Sequence, residues 1–278
     1  MSLHVEIHGS GAPLLLIHGW GMHGGIWSHI IPQLAQHFRV HCVDLPGHGH
    51  SKAEKGEGGR EKGKTSAPPL PFTLDVIVEK LSAQFEEPLF VCGWSLGGQI
   101  ALHWAQIEPQ KIRKLVLIAS TPCFTERDNW LFGMTMETLQ QFTTELERDH
   151  AATLRRFLSL QMRGSTNERE LLMNLRSHLF NRGEPDILAL RGGLRILCDT
   201  DLRKELASIR QPVLLVTGER DKLTPSEASF YMAQTLPDAR VVEIPGAAHA
   251  PFLSHPEIFV GAVINFMNQE RPSATDNH

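Results

Sequence analysis

The chain has 278 residues and a mass of 31.1 kDa, which suits one large domain and is too long for a small disulfide-stabilised scaffold. Hydrophobic residues make up 41% of it and charged residues 21%, so the chain can bury a large core and is not disordered overall. Lys and Arg number 27 against 31 for Asp and Glu, and this net charge of −4 argues against nucleic-acid binding.

Short runs of branched apolar residues recur along the chain and predict buried strands. These runs are Leu14–Ile17, Val40–Val43, Leu89–Cys92, Leu115–Ile118, Val213–Val216 and Val241–Ile244. Helical periodicity lies between most of them, at Leu96–Ile107, Ser226–Leu236 and Pro256–Met267. The alternation predicts an α/β fold whose mostly parallel sheet is flanked by helices.

One long interval breaks this alternation. Residues 122–209 contain no convincing strand, only the helical patterns Met136–Leu146, Ala151–Met162 and Arg169–Leu179. We therefore expect a helical cap, inserted into a core formed by residues 1–121 and 210–268. Residues 52–71 are rich in Lys, Glu, Gly and Pro and predict a mobile surface loop, and residues 269–278 predict a polar tail.

The cysteines and the N-terminal sequence indicate the compartment. Cys42, Cys92, Cys123 and Cys198 lie far apart, without the spacing of a zinc site, so we expect free thiols and no metal. The N-terminus lacks the pattern of a signal peptide, and no apolar run approaches the roughly 20 residues that span a bilayer. These features predict a cytoplasmic protein, which we expect to be monomeric and not to bind membranes.

The strongest local motif is Gly93-Trp94-Ser95-Leu96-Gly97, between a predicted strand and a predicted helix. A serine on a sharp strand-to-helix turn has strained backbone geometry that requires small neighbours, and the turn raises its hydroxyl above the sheet edge. The motif therefore predicts that Ser95 is a nucleophile. The alternative is a glycine-rich turn with an incidental serine.

A serine nucleophile needs a base, and the base needs an acid to orient it. Asp221 and His249 follow the last two predicted strands, and the order Ser, Asp, His is the one that hydrolases with this turn use. Asp221 could alternatively cap the next helix, and a lone loop histidine is commonly just solvated. Glu219 and His255 lie close enough in the chain to compete for the two roles.

The loop after the first predicted strand, His18-Gly19-Trp20-Gly21, is placed to donate a backbone N–H to a developing oxyanion. The second donor would be the backbone N–H of Leu96, directly after the serine. The alternative is that the loop is only a tight turn. We expect Asp44 to fix a turn and His18 to order its own loop by hydrogen bonding.

Several segments together carry a resemblance to known proteins. They are His18–Gly21, Asp44–Gly47, Gly93–Gly98, Ala119–Phe124, Arg156–Gln161, Gly192–Leu194, Asp201–Arg203 and Ala247–Pro251. The set resembles the α/β-hydrolase superfamily and, within it, the carboxylesterases that remove the methyl ester of pimeloyl-acyl-carrier protein in biotin synthesis. The resemblance implies a serine esterase that uses water and no cofactor, with Asp221 and His249 beside Ser95.

The same resemblance implies the residues that line the substrate site. They are Trp20, Ser95, Leu96, Phe157, Leu158, Ser159, Leu160, Gln161 and His249. The spacing of Leu154, Phe157, Leu158 and Gln161 places them on one helix face, which could cover an acyl chain. Packing of the cap onto the core would explain the same face.

The cap is also locally basic, because residues 150–182 contain six arginines and only two glutamates. An acyl carrier protein is acidic, so a basic cap could orient it towards Ser95. The candidate contacts are Arg155, Arg156, Arg163 and Arg169. The alternative is an ordinary solvated face.

The sequence thus predicts a serine carboxylesterase that frees the pimeloyl carboxylate and methanol from the methyl ester of pimeloyl-acyl-carrier protein. We expect small esters to be substrates as well. Two alternatives remain: a broad short-chain esterase or another hydrolase of this fold, and a binding protein that kept the fold without catalysis.

Overall fold

The computed structural model describes residues 3–51, 72–179 and 181–269. The predicted mobile loop at 52–71 lies outside the described residues, and so does the predicted tail apart from Gln269.

The described residues form one sheet of seven strands. The strands are β1 (Val5–His8), β2 (Ala12–Ile17), β3 (Phe38–Val43), β4 (Leu89–Trp94), β5 (Ile112–Ile118), β6 (Val213–Gly218) and β7 (Ala239–Ile244). Their order across the sheet is β1-β3-β2-β4-β5-β6-β7, and every neighbouring pair is parallel except β1 with β3. The predicted α/β fold and all six predicted strands are confirmed. Strand β1 was not predicted, because it has only four residues, none of them fully buried.

The α-helices that the structure describes lie between the strands and, for the last two, after β7. They are α1 (Ile31–Leu34), α2 (Leu74–Gln84), α3 (Leu96–Ile107), α4 (Met136–Arg148), α5 (His150–Met162), α6 (Glu168–Leu179), α7 (Ile187–Asp199), α8 (Ser226–Thr235), α9 (Pro251–Ser254) and α10 (Pro256–Asn268). Every predicted helix is present, and only α1, α2, α7 and α9 were not predicted.

The sheet is buried where the chain is most apolar. Every residue of β4 and β6 is buried, as expected for interior parallel strands with helices on both faces. Since β2, β4, β5, β6 and β7 run in the same direction, their carboxyl ends lie at one edge of the sheet. Side chains on the loops that follow these strands can therefore meet.

Helices α4 to α7, which we call the cap, follow one another between β5 and β6, within the segment 122–209. Helix α4 buries Leu139, Phe142 and Leu146 on one face, and α5 starts at a cap in which Asp149 accepts a hydrogen bond from the backbone N–H of Ala152 at 2.9 Å. Helix α5 thus begins at a local capping signal, and α4 is held in place by one buried apolar stripe.

Other predicted features concern metals, membranes and thiols. Within residues 3–51, 72–179 and 181–269, no three His, Cys, Asp or Glu side chains are grouped to hold a metal ion. No helix built from those residues is long and apolar enough to cross a membrane. The four cysteines are free thiols, as predicted, and burial raises the pKa of Cys42 to about 12.

Candidate active site

Ser95 stands on a strained turn between β4 and α3. Its φ of 55° and ψ of −115° lie in a region that non-glycine residues rarely adopt. The turn needs glycine on both sides: a Cβ on Gly93 would lie 2.3 Å from the carbonyl oxygen of Gly97, and one on Gly97 would lie 2.3 Å from that of Ile17. The glycine spacing of the sequence motif is therefore a steric requirement of this turn.

Hydrogen bonds from β5 and its loop hold the strained serine. The backbone N–H of Ser95 donates to the carbonyl of Ile118 at 2.9 Å, and the hydroxyl of Ser120 donates to the carbonyl of Ser95 at 2.8 Å. Both main-chain polar groups of the serine are engaged, so its buried side chain is held in a defined place.

Asp221 and His249 are brought into contact from the loops after β6 and β7. His249 Nδ1 lies 2.8 Å from Asp221 Oδ2, and both side chains are fully buried. The other carboxylate oxygen, Asp221 Oδ1, accepts the backbone N–H of Leu223 at 2.8 Å and that of Thr224 at 3.1 Å. The carboxylate is fixed by its own loop and can orient the imidazole.

The two competing side chains have other partners. Glu219 Oε2 accepts the backbone N–H of Gly246 at 2.8 Å and so joins the loops after β6 and β7. His255 Nδ1 lies 2.9 Å from the hydroxyl of Ser254. The geometry therefore selects Asp221 as the partner of His249.

Core and cap both hold the backbone of His249. The indole N–H of Trp94, the residue before Ser95, donates to the His249 carbonyl at 2.8 Å. The backbone N–H of His249 donates to the carbonyl of Gln161, at the end of α5, at 3.1 Å. The histidine is thus tied to the serine turn on one side and to the cap on the other.

Two polar atoms of this group are buried without a hydrogen-bond partner among the described residues: Ser95 Oγ and His249 Nε2. A buried polar atom without a partner is costly and calls for an explanation. These are the two atoms that proton transfer from a serine nucleophile to a histidine base would join. The arrangement is suited to acyl transfer.

The loop after β2 packs against the serine turn. A Cβ on Gly19 would lie 3.4 Å from Ser95 Cβ, so the loop comes within van der Waals distance of the serine. His18 Nδ1 lies 2.8 Å from the Gly19 carbonyl and His18 Nε2 accepts the backbone N–H of Leu45 at 3.0 Å, which confirms its role in ordering the loop. Burial, and next the nearby His48, lower the pKa of His18 to about 3, so the ring stays neutral.

Asp44 has the turn-fixing role that the sequence predicts. Its carboxylate accepts the backbone N–H of Gly24 at 2.6 Å and that of His50 at 2.8 Å. Burial opposes the charge, but these hydrogen bonds and the Arg182 guanidinium hold the pKa of Asp44 below its usual value. Arg182 Nη1 lies 3.4 Å from the same carboxylate.

The cap residues predicted to line the site fall into two groups. Phe157, Leu158 and Gln161 are buried, and the Phe157 ring packs edge-on against Trp20 at 4.9 Å between centroids. Ser159 and Leu160 are only half-buried, and the Ser159 hydroxyl donates to the Arg155 carbonyl of its own helix.

Helix α7 supplies contacts that sequence reasoning missed. The indole N–H of Trp20 donates to the Leu190 carbonyl at 2.9 Å. A Cβ on Gly193 would lie 2.5 Å from Trp20 Cδ1, so this glycine lets α7 approach the indole closely. The Gly192-Gly193 pair inside a helical pattern was the available signal, because such glycines usually have a packing reason.

The candidate carrier contacts lie on α5, directly after it and on α6. Arg156 forms an ion pair with Glu145 of α4, and its guanidinium lies 5.3 Å from the centroid of the Phe142 ring. Arg163 follows α5, and it is exposed, as are Arg155 and the Arg169 of α6.

Arg182 was counted with this basic surface, and that count was wrong. Its side chain is only 13% exposed and lies 2.8 Å from Glu6, besides its pair with Asp44. The arginine belongs to an inward ion-pair network between cap and core.

The chain is similar in sequence to known proteins. Residues 12–256 match the family model of the alpha/beta hydrolase fold. Two relatives are named pimeloyl-[acyl-carrier protein] methyl ester esterase. The one from Nitrosomonas europaea is 43% identical, over 93% of this chain and 97% of the relative. The one from Chromobacterium violaceum is 39% identical, over 97% of this chain and 100% of the relative.

Solved structures share the fold at lower identity. An esterase from Exiguobacterium antarcticum superposes with a TM-score of 0.81 at 22% identity, covering 96% of both chains. The enol-lactonase from Burkholderia xenovorans superposes with a TM-score of 0.78 at 21% sequence identity, also covering 96% of both chains. The chain therefore belongs to the alpha/beta hydrolase fold family and, within it, to the family of the pimeloyl-[acyl-carrier protein] methyl ester esterases.

Proposed function

We propose that this protein is a serine carboxylesterase that hydrolyses the methyl ester of pimeloyl-acyl-carrier protein to methanol and the free pimeloyl carboxylate. One observation carries the chemistry: the buried Asp221–His249 pair, 2.8 Å apart, at the sheet edge where the strained turn presents Ser95. The substrate rests on the relatives of that name, which are 37–43% identical over nearly the whole chain.

The acylation step uses the two unpartnered atoms. Ser95 Oγ attacks the ester carbonyl carbon while His249 Nε2 takes the hydroxyl proton. The carbonyl oxygen becomes an oxyanion, stabilised by the backbone N–H groups of Trp20 and Leu96. The C–O bond to the methoxy group then breaks, His249 returns its proton to that oxygen, and methanol leaves.

Deacylation repeats the sequence with water. His249 takes a proton from water, whose oxygen attacks the acyl carbonyl, and the proton then passes to Ser95 Oγ as the acid is released. Asp221 stays ionised throughout and stabilises the imidazolium. No metal or organic cofactor takes part, so we expect activity to withstand EDTA.

The cap supplies the substrate side of the site. The Phe157 ring packs on Trp20, the Gln161 carbonyl is bonded to His249, and Leu158 is buried on the same helix; an acyl chain would lie along this face. Ser159 and Leu160 stand at the edge of this face. The exposed Arg155, Arg156, Arg163 and Arg169 offer positive charge to an acidic carrier protein.

The test compares two substrates on the purified protein: methyl pimeloyl-acyl-carrier protein and a short p-nitrophenyl ester, each with Ser95→Ala as control. We expect rapid hydrolysis of the carrier-bound ester, lost by several orders of magnitude in Ser95→Ala while the thermal transition stays in place. Cleavage of the small ester alone would make the protein a short-chain esterase. Cleavage of neither, or full activity of Ser95→Ala, would refute the proposal.

A further inference from the structure

A cavity of about 590 Å³ lies between the start of α4, the end of α5 and the loop after β6. Its apolar wall contains Met134, Leu160 and Leu223, and two cationic side chains, Arg163 and Lys222, also line it. Both cations are exposed, whereas Leu223 is buried, so the cavity leads from a positive mouth to an apolar interior.

The interior of the cavity borders the catalytic group. The backbone N–H of Leu223 donates to Asp221 Oδ1 at 2.8 Å. Leu160 precedes Gln161, whose carbonyl accepts the backbone N–H of His249 at 3.1 Å. Two apolar residues of the cavity wall, Leu223 and Leu160, thus lie in segments that hold the Asp221–His249 pair.

The carboxylates near the mouth have partners of their own. Glu168 Oε2 accepts the backbone N–H of Gly164 at 3.0 Å, and Glu219 Oε2 accepts that of Gly246 at 2.8 Å. Arg220, next to Glu219, donates to the Gly164 carbonyl at 3.1 Å. For Arg163 and Lys222 themselves, the structure gives no ion pair with any described residue.

The position of these cations limits what they can bind. Arg163 is two residues beyond Gln161, at most about 7.6 Å along the backbone, and Lys222 directly follows Asp221. An extended seven-carbon chain spans about 8 Å, given bonds of roughly 1.5 Å. The chain is therefore about as long as the backbone separation between Gln161, which is bonded to His249, and Arg163 at the mouth.

We propose that Arg163 and Lys222 bind the distal end of the acyl chain and that the enzyme therefore also hydrolyses free monomethyl esters of linear dicarboxylic acids. On the carrier-bound substrate this end is the thioester carbonyl, a hydrogen-bond acceptor. On free monomethyl pimelate it is a carboxylate, which pairs with the two cations. The inference rests on the proposed esterase function.

The test compares monomethyl pimelate with dimethyl pimelate, whose distal end is uncharged. The wild type should show a kcat/KM at least fivefold higher for the monoester, and this preference should fall to about one in Arg163→Gln/Lys222→Gln. The control is Arg113→Gln/Arg240→Gln, which removes two exposed arginines at the amino ends of β5 and β7 and should keep the preference. With the five-carbon glutarate esters, the preference for the monomethyl over the dimethyl ester should also disappear. The carboxylate of monomethyl glutarate would lie among Leu160 and Leu223.

The outcomes separate the two proposals. If the wild type cleaves methyl pimeloyl-acyl-carrier protein but shows no preference for the monoester, or keeps the preference in Arg163→Gln/Lys222→Gln, the distal-end site is wrong and the esterase function stands. If no methyl ester is cleaved, both proposals fail. A preference that is equal for glutarate and pimelate would show general attraction of anions, which also overturns the site.

Discussion

The sheet edge and the cap hold their functional residues by different means. At the sheet edge, hydrogen bonds do this: the backbone of Ser95 is held by Ile118 and Ser120, and the Asp221 carboxylate by the amides of its own loop. In the cap, apolar side chains hold the position, as where Phe157 packs between Trp20 and Phe142 at 4.9 and 5.6 Å.

This difference separates reaction from selection. Groups fixed by the backbone keep their geometry whatever substrate binds, which suits the bond-making step. A cap held by side-chain packing can change its inner surface without disturbing that geometry. Substitutions at the sheet edge should therefore lower kcat, and substitutions in the cap should alter stability and KM.

The largest expected effect is that of Asp221→Asn. The amide oxygen can still accept from Leu223 and Thr224, but its NH2 group would then face His249 Nδ1 and favour the wrong tautomer. We expect kcat to fall about 10⁴-fold with the fold intact. Steady-state kinetics and circular dichroism measure the two properties.

The matched control for this variant is Glu219→Gln, two residues away on the same loop. It should keep most of the activity, because Glu219 bonds a backbone amide and not the imidazole. If Glu219→Gln lost as much activity as Asp221→Asn, the assignment of the acid would be wrong.

On the cap side, Phe157→Ala should act mainly on stability and substrate binding. Removal of a buried phenylalanine costs about 3–5 kcal/mol in the free energy of unfolding. KM for an acyl ester should rise more than kcat falls, since the ring covers Trp20 and not the reacting atoms. Urea denaturation and esterase kinetics provide the values.

Phe230→Ala is the control for that loss, because Phe230 is 43% exposed on α8. The free energy of unfolding of Phe230→Ala should differ from that of the wild type by less than about 1 kcal/mol. A drop in kcat without a change in KM in Phe157→Ala would contradict the division between sheet edge and cap.

Sequence reasoning succeeded where local chemistry decides the structure. The buried strands have continuous apolar runs, and the glycines around Ser95 record a steric requirement of that one turn. The approach of Asp221 to His249 was predictable, because both residues follow parallel strands whose carboxyl ends share an edge.

Features that depend on tertiary packing were not predictable. Nothing local distinguishes Arg182 from the exposed arginines, because its burial depends on Glu6 and Asp44, far away in sequence. Helix α7 contains two glycines, which lower helix propensity, and its stability comes from packing against Trp20 and α4. No sequence pattern predicts the hydrogen bond that the Thr224 hydroxyl donates to Asp221 Oδ2.

The buried histidines in the loops next to the sheet edge should make the stability of the protein depend on pH. Burial lowers the pKa of His18 to about 3 and that of His48 to about 4, against 6.5 in the unfolded chain. Below pH 6.5 the unfolded state binds more protons, so stability should fall by about 1.4 kcal/mol per pH unit for each histidine. Asp44, whose pKa is lowered, loses its contribution only in more acidic solution.

His48→Gln should remove one of these titrations. Between pH 6.5 and 5 its free energy of unfolding should fall by about 2 kcal/mol less than that of the wild type. Urea denaturation at the two pH values measures the difference, with the exposed His37→Gln as control. An unchanged pH slope in His48→Gln would mean that this histidine is not held neutral.

The smallest effect, and the sharpest test of the sheet edge, concerns Thr224. Its hydroxyl donates to Asp221 Oδ2 at 2.6 Å and lies 3.4 Å from His249 Nδ1, so it is a positioning residue. Thr224→Val removes one buried hydrogen bond, worth about 1 kcal/mol, and kcat should fall roughly fivefold. Thr224→Ser keeps the hydroxyl and should restore the wild-type kcat. If the serine variant behaved like the valine variant, packing of the methyl group would be the role of Thr224.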